Sequence, residues 1–272
     1  MLNPSYATLR FGSRRSDYGI MRRLLPAFLV CSLFLIACGP GSNSQKAMLS
    51  GNWQFALTNP KTGALKKESG FILQSGSSLQ GSFLLTGGTI CPGIGSAQGN
   101  INGLNVSFVV SQVGQTITLT GTAESDGSLM SGNYAIVESP CGTTQVGTWT
   151  AIQVAALNGN LQASFTSANT GQVVQYSGTV AQGPNNGGST TTLTGMLTST
   201  GSTCVSSASI SGQISGTAVV LNLLSSEGVA QGQIVGTMST DGTSITATYN
   251  ILPQSTNGCA DLGNATITVQ RT

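Results

Sequence analysis

The chain predicts an all-β protein: two tandem, homologous antiparallel β-barrel (meander) domains behind a cleaved helical signal peptide. Three observations predict it. Short runs of alternating apolar residues are separated by Gly-rich turns, the pattern of half-buried strands. A block in the first half of the chain recurs in the second. One apolar run near the start, Leu24 to Ala37, is about 14 residues long; a membrane-crossing helix needs about 20, whereas a signal-peptide core needs roughly 7–15.

The leader comes first. Met21-Arg22-Arg23 precedes the apolar run and an uncharged Gly39-Pro40-Gly41-Ser42-Asn43-Ser44 follows it. A soluble core helix would show polar positions at helical spacing, but only Ser32 interrupts. Residues 1–20 carry Arg10, Arg14 and Arg15 and no apolar run. Met21 therefore reads as the true start, since Met-Arg-Arg-Leu-Leu is a complete signal-peptide opening.

The run ends Leu35-Ile36-Ala37-Cys38. Aliphatic, variable, small, then cysteine: this resembles the lipobox of bacterial lipoproteins, and the resemblance covers only Met21 to Cys38. It implies that a peptidase cuts before Cys38, that the thiol carries a diacylglycerol, and that the new amino terminus is acylated, with palmitate among the expected chains. Cys31 fits less well, because Val30 before it is bulky. A plain signal that happens to end in cysteine is the alternative. Each buried methylene of an acyl chain contributes about 0.8 kcal/mol, so several chains anchor stably where one does not. The resemblance also implies an envelope location, and Gly39, where an aspartate would signal inner-membrane retention, implies the outer membrane. The expected organisation is a leader over 1–37, a lipidated cysteine with a flexible tether over 38–48, and β domains over 49–155 and 156–272.

Beyond Cys38 the basic residues are Lys46, Lys61, Lys66, Lys67 and Arg271, against Glu68, Glu124, Asp126, Glu138, Glu227, Asp241 and Asp261. The exported part is sparsely charged and slightly acidic. No basic surface is large enough for nucleic acid, and Lys61, Lys66 and Lys67 read as one solvated loop. Regularly placed Val, Ile, Leu, Phe and Tyr argue against disorder.

The repeat is legible in three blocks, each of which aligns without a gap. Gly121–Ile136 (GTAESDGSLMSGNYAI) lies over Gly236–Ile251 (GTMSTDGTSITATYNI), Leu49-Ser50-Gly51-Asn52-Trp53 over Leu157-Asn158-Gly159-Asn160-Leu161, and Gly147–Val154 over Gly263–Gln270. The unit is about 110 residues, an ordinary domain size. Cysteines follow the same plan: Cys91 and Cys141 in the first repeat, Cys204 and Cys259 in matching places of the second. In an oxidising compartment the duplication favours Cys91–Cys141 and Cys204–Cys259 among the three pairings that four cysteines allow. A zinc site fits badly, with no close cysteine pair and no histidine in the sequence.

Within each repeat the faces alternate. Trp53, Phe55 and Leu57 share one face, as do Leu161, Ala163 and Phe165; Leu104, Val106, Phe108 and Val110 mark another strand. Asp126-Gly127 and Asp241-Gly242 are hairpin-turn dipeptides. Seven or eight short strands per repeat suit a meander closing on itself. Gly51-Asn52-Trp53 resembles the Gly-x-Trp opening of lipocalin-like and avidin-like barrels, over three residues only. A β-sandwich is the alternative, but an immunoglobulin-like one expects a tryptophan soon after the first cysteine, and none follows Cys91.

The chemistry reading is largely negative. Without histidine no Ser-His-Asp or Cys-His site is available. Glu124 and Asp126 are close in sequence, but the second repeat has Ser239 and Asp241 there, so a turn role is the plainer one. Calcium needs six or more oxygens, and two carboxylates supply too few. The lysines are placed badly for a Ser-Lys site. The expectation is no enzyme, no cofactor and no metal. For binding, aromatics concentrate in the first repeat, with Trp53 and Trp149 as candidate ligand contacts; the competing reading is that they fill its core. The loop Gly183–Thr192 (GPNNGGSTTT) is a candidate specificity loop or a flexible turn. Two functions follow: a structural or interaction role towards an envelope protein or glycan, or a module binding a small apolar ligand or glycan inside a barrel. A hollow lumen favours the second, a filled one the first.

Overall fold

The computed structural model describes residues 47–63, 65–86, 91–137, 141, 144–253 and 259–271. Cys38, Lys46 and the leader lie outside them. Eight strands, β1 (Gly51–Thr58), β2 (Leu65–Ser75), β3 (Ser78–Leu85), β4 (Gly93–Asn102), β5 (Asn105–Gln112), β6 (Gln115–Ala123), β7 (Leu129–Val137) and β8 (Gln145–Val154), pair in order and close with β8 on β1. Eight more, β9 (Gly159–Ser167), β10 (Val173–Gln182), β11 (Thr191–Thr198), β12 (Ser207–Ser215), β13 (Ala218–Leu224), β14 (Ala230–Met238), β15 (Ser244–Ile251) and β16 (Asp261–Gln270), repeat the arrangement, with β16 on β9. Every pairing is antiparallel, so the chain forms two meander barrels, not sandwiches.

Period-two patterning puts apolar residues inside. In β16, Ala265, Ile267 and Val269 are buried while Asn264, Thr266 and Thr268 face solvent. The polar wall is the reverse of a membrane-spanning barrel, whose outer face is apolar. The first interior is aromatic: Phe55 and Phe83 lie 4.7 Å apart, with Trp149 6.0 Å from Phe55 and Phe108 6.3 Å from Phe83. The second is mainly aliphatic, built on Leu161, Ile210, Leu221, Ile234 and Ile267. Both are packed with side chains. A gap among Phe55, Phe83, Leu119 and Glu68 holds about 10 Å³, on the order of one water at most.

The two ends of each barrel differ. At one end the segment before the first strand folds in as a plug: Leu49 and Leu157 are wholly buried. Their backbone N–H groups donate to the Oε1 atoms of the equivalent Gln74 (2.6 Å) and Gln182 (3.0 Å). Gly127 takes φ 75° in the turn beside the first plug, where a Cβ would lie 2.5 Å from the Met48 carbonyl. The Asp-Gly dipeptides thus sit in turns, but these are five-residue connections, not two-residue ones. Asp126 braces the turn: its Oδ1 accepts from the Ser128 N–H at 2.9 Å and the Ser128 hydroxyl at 2.8 Å. These bonds hold its carboxyl below the usual range.

At the other end the disulfides form straps. Cys91 lies between β3 and β4, and Cys141 between β7 and β8, connections half a barrel apart in the strand order. Their Cα atoms are nevertheless 5.2 Å apart, because the bridge draws opposite rims together. Cys204 and Cys259 do the same in the second barrel, with Cα atoms 5.3 Å apart. Each closes a loop of 50 or 55 residues, worth about 4 kcal/mol in the chain-entropy account.

The barrels form one compact unit. The plugged end of the second rests on the wall of the first at β1 to β3. Asn52 pairs with the backbone of Gly216 through both amide atoms, donating to its carbonyl and accepting its N–H at 2.7 Å each. Gln54 Oε1 accepts from the Thr217 N–H and hydroxyl at 3.0 Å, and Ser69 meets Ser215 at 2.7 Å. Gly216 has φ 55°, and a Cβ there would lie 2.5 Å from Gln54. The Gly183–Thr192 loop belongs to this joint: the Gly187 carbonyl accepts from the Ser82 hydroxyl at 2.7 Å. Lys66 and Lys67 also depart from expectation. Both are strand residues of β2, so only Lys61 is in the loop.

Candidate functional site at the mouth of the second barrel

The strapped end of the second barrel opens into a recess of about 260 Å³. Its floor is aromatic. Phe165 at the end of β9 packs 4.6 Å from Tyr176 on β10 and 4.7 Å from Tyr249 on β15, the latter nearly parallel at 28°. Asp261, the first residue of β16, stands on one side and the Gly201–Cys204 connection on the other. The inward period of each strand delivers these residues to one place.

Asp261 is held from two sides. Its Oδ1 accepts from the Ser167 hydroxyl and its Oδ2 from the Tyr249 hydroxyl, both at 2.7 Å. Ser167 is itself oriented, because its oxygen accepts the N–H groups of Asn169 and Thr170 at 3.2 Å. Its proton is therefore directed to the carboxylate. Tyr176 donates to Ser202 at 3.0 Å. Burial, then the bond to Asp261 and its negative charge, raise the Tyr249 hydroxyl far above its usual range; burial raises Tyr176. Both phenols stay protonated donors at any physiological pH.

The duplication supplies an internal comparison. By the Leu49/Leu157 alignment, Phe55 matches Ala163; their cross-strand partners are Glu68 and Tyr176. Tyr134 matches Tyr249, and Gln145 takes the place of Asp261, with its Nε2 donating to the Tyr134 hydroxyl at 2.5 Å. Among the described residues each barrel thus carries one inward acid near its strapped end, but on different strands. In the first it is Glu68, almost fully buried beside Phe55 and Phe83. Its Oε2 accepts from the Thr86 N–H at 2.5 Å. Desolvation outweighs that bond and pushes Glu68 up to about 7. In the second, Asp261 lines a recess that the described residues leave open.

The residues singled out in sequence fall elsewhere. Trp53 and Trp149 are inside the first barrel, 0% and 1% exposed. Their indole N–H groups are occupied, Trp53 by the Leu49 carbonyl at 2.9 Å, and Trp149 by Asn133 at 3.1 Å and Thr120 at 3.2 Å. Glu124 and Asp126 sit in the turn beside the first plug. Asp261 and Ser167 carry no motif, and the one available signal was the substitution of aspartate for Gln145 across the repeat.

Comparisons with known proteins place the chain in no family. No family model matches it, and no curated protein does. Among solved structures it is similar to kievitone hydratase from Nectria haematococca, at 9% identity over 85% of this chain and 93% of that one, with a TM-score of 0.25. It is also similar to a variant of transferrin binding protein B from Haemophilus parasuis, at 10% identity over 82% and 75%, TM-score 0.25. A third is a DUF3598-family protein of unknown function from Nostoc punctiforme, at 9% over 83% and 97%, TM-score 0.22. Overlap this loose bears on neither ligand nor activity.

Proposed function

We propose that the chain is a bacterial envelope lipoprotein, anchored through lipid on Cys38 and tethered by residues 39–48, that works by contact with other envelope components and not by catalysis. The lipobox and the leader support the anchor, and Gly39 supports the outer membrane. The observation that carries the interaction reading is how little space the described side chains leave inside the first barrel, about 10 Å³, and inside the second below its mouth. With no lumen among the described residues to hold a cargo, contacts are made from outside. The strapped end of the first barrel offers a surface for them. Leu65, Ile94, Val113, Val137 and Val146 project there, with Val113 95% exposed at the tip of the β5–β6 turn. Lys61 and Lys67 stand at the same end. A photo-reactive residue at position 113 of the anchored protein should capture an envelope component, while one at Thr120 on the polar wall should not. Absence of adducts from position 113 would contradict this reading.

A second reading rests on a separate observation. Among the described residues the recess over Phe165, Tyr176 and Tyr249 is open, and it combines a carboxylate with an aromatic floor. That combination favours a small ligand held at the mouth of the second barrel, not in its interior.

A further inference from the structure

We infer that the mouth of the second barrel takes a small organic cation, an ammonium group with methyl or methylene substituents. The inference rests on reading that mouth as a ligand site and adds the ligand's charge and class.

The argument begins with charge. Between residues 156 and 272 the sequence has a single basic residue, Arg271. It lies at the plugged end, where its guanidinium donates to the Asp241 carbonyl. At the strapped end stands Asp261, and Glu227 occupies the connection between β13 and β14 at that same end. The mouth therefore carries negative charge with no cation from its own barrel to balance it.

The two hydrogen bonds fix the carboxylate's plane but leave it capacity, since each carboxylate oxygen can accept about two bonds and each accepts one from a described hydroxyl. The donors are neutral phenol and serine groups, so they orient the charge without cancelling it. A ligand ammonium would supply the missing charge.

The floor selects among cations. A hydrated metal ion wants six or more oxygens, and the described residues contain no cluster of three acidic, cysteine or histidine side chains. Aromatic carbon instead suits a cation with an apolar coat, because the ring face attracts positive charge within about 6 Å of its centroid. Phe165, Tyr176 and Tyr249, 3%, 5% and 4% exposed, bring that carbon to the bottom of the recess, whose volume of about 260 Å³ suits a small head group. At the matching position the first barrel has Gln145 in place of Asp261, and its described inward acid, Glu68, is buried.

Choline chloride serves as the probe, titrated calorimetrically into the full chain in detergent at constant ionic strength. Neohexanol, its uncharged isostere, is the control, and Asp261→Asn is the variant. Choline should bind at one site per chain, neohexanol at least about tenfold more weakly, and the variant should lose choline by a similar factor, as expected for a lost charged contact. Equal binding of choline and neohexanol would overturn the charge assignment while leaving a ligand site at the mouth. Binding of neither by the oxidised, folded protein would overturn both. Retained choline affinity in Asp261→Asn would remove Asp261 from the site.

Discussion

Glu68 shows how much one inward position decides. In sequence it follows Lys66-Lys67, which read as part of a solvated loop. In the barrel, strand alternation turns Glu68 towards Phe55 and Phe83. No periodicity rule announces a buried acid within a charged run, so its burial had to come from the register. The consequence is a specific pH dependence. With a folded value near 7 above an unfolded one near 4.5, the folded state binds the extra proton between those limits. Stability is then fullest below about pH 4.5 and falls as pH rises through 7, by at most on the order of 3 kcal/mol. Urea unfolding from pH 4.5 to 8 should show this decline in the native chain. Glu68→Gln, neutral throughout, should flatten it; an unchanged slope would assign the dependence to another group.

At the scale of elements, the strands and their pairing were largely legible, because alternation and turns set both. The plug was only half legible. Leu49-Ser50-Gly51 matches Leu157-Asn158-Gly159 visibly, yet a repeated leucine before a strand does not say that it folds back into the barrel. The equivalence of Gln74 and Gln182 explains it: each receives the plug's backbone N–H. Leu157→Ala removes a fully buried side chain from the plugged end and should cost about 2–5 kcal/mol, measured by the shift in denaturation midpoint. Exposed Val173→Ala should shift it by less than roughly 0.5 kcal/mol. The disulfide pairing was also legible, from the duplication alone. That the bridges strap opposite rims was not, because it depends on strand order.

Across the whole molecule, the tandem architecture followed from the repeat, but the joint between the barrels did not. Nothing in the sequence marks Asn52, Gln54, Ser69 and Ser82 as joint residues, and only the structure pairs them with Ser215, Gly216, Thr217 and Gly187. The loop rich in Gly and Asn was ambiguous for the same reason. The candidate site was missed because its aromatics are fewer than those of the first repeat. Numbers of rings point to a core, whereas an open recess depends on which rings lie at an end. The proposed molecule is a lipid-anchored, doubly disulfide-strapped barrel pair. The most direct test is the intact mass of the protein purified from its own membranes, before and after reduction. The account predicts a chain beginning at Cys38, heavier by its acyl groups, that gains four hydrogens on reduction. An unmodified amino terminus, or free thiols at Cys91, Cys141, Cys204 or Cys259, would contradict it.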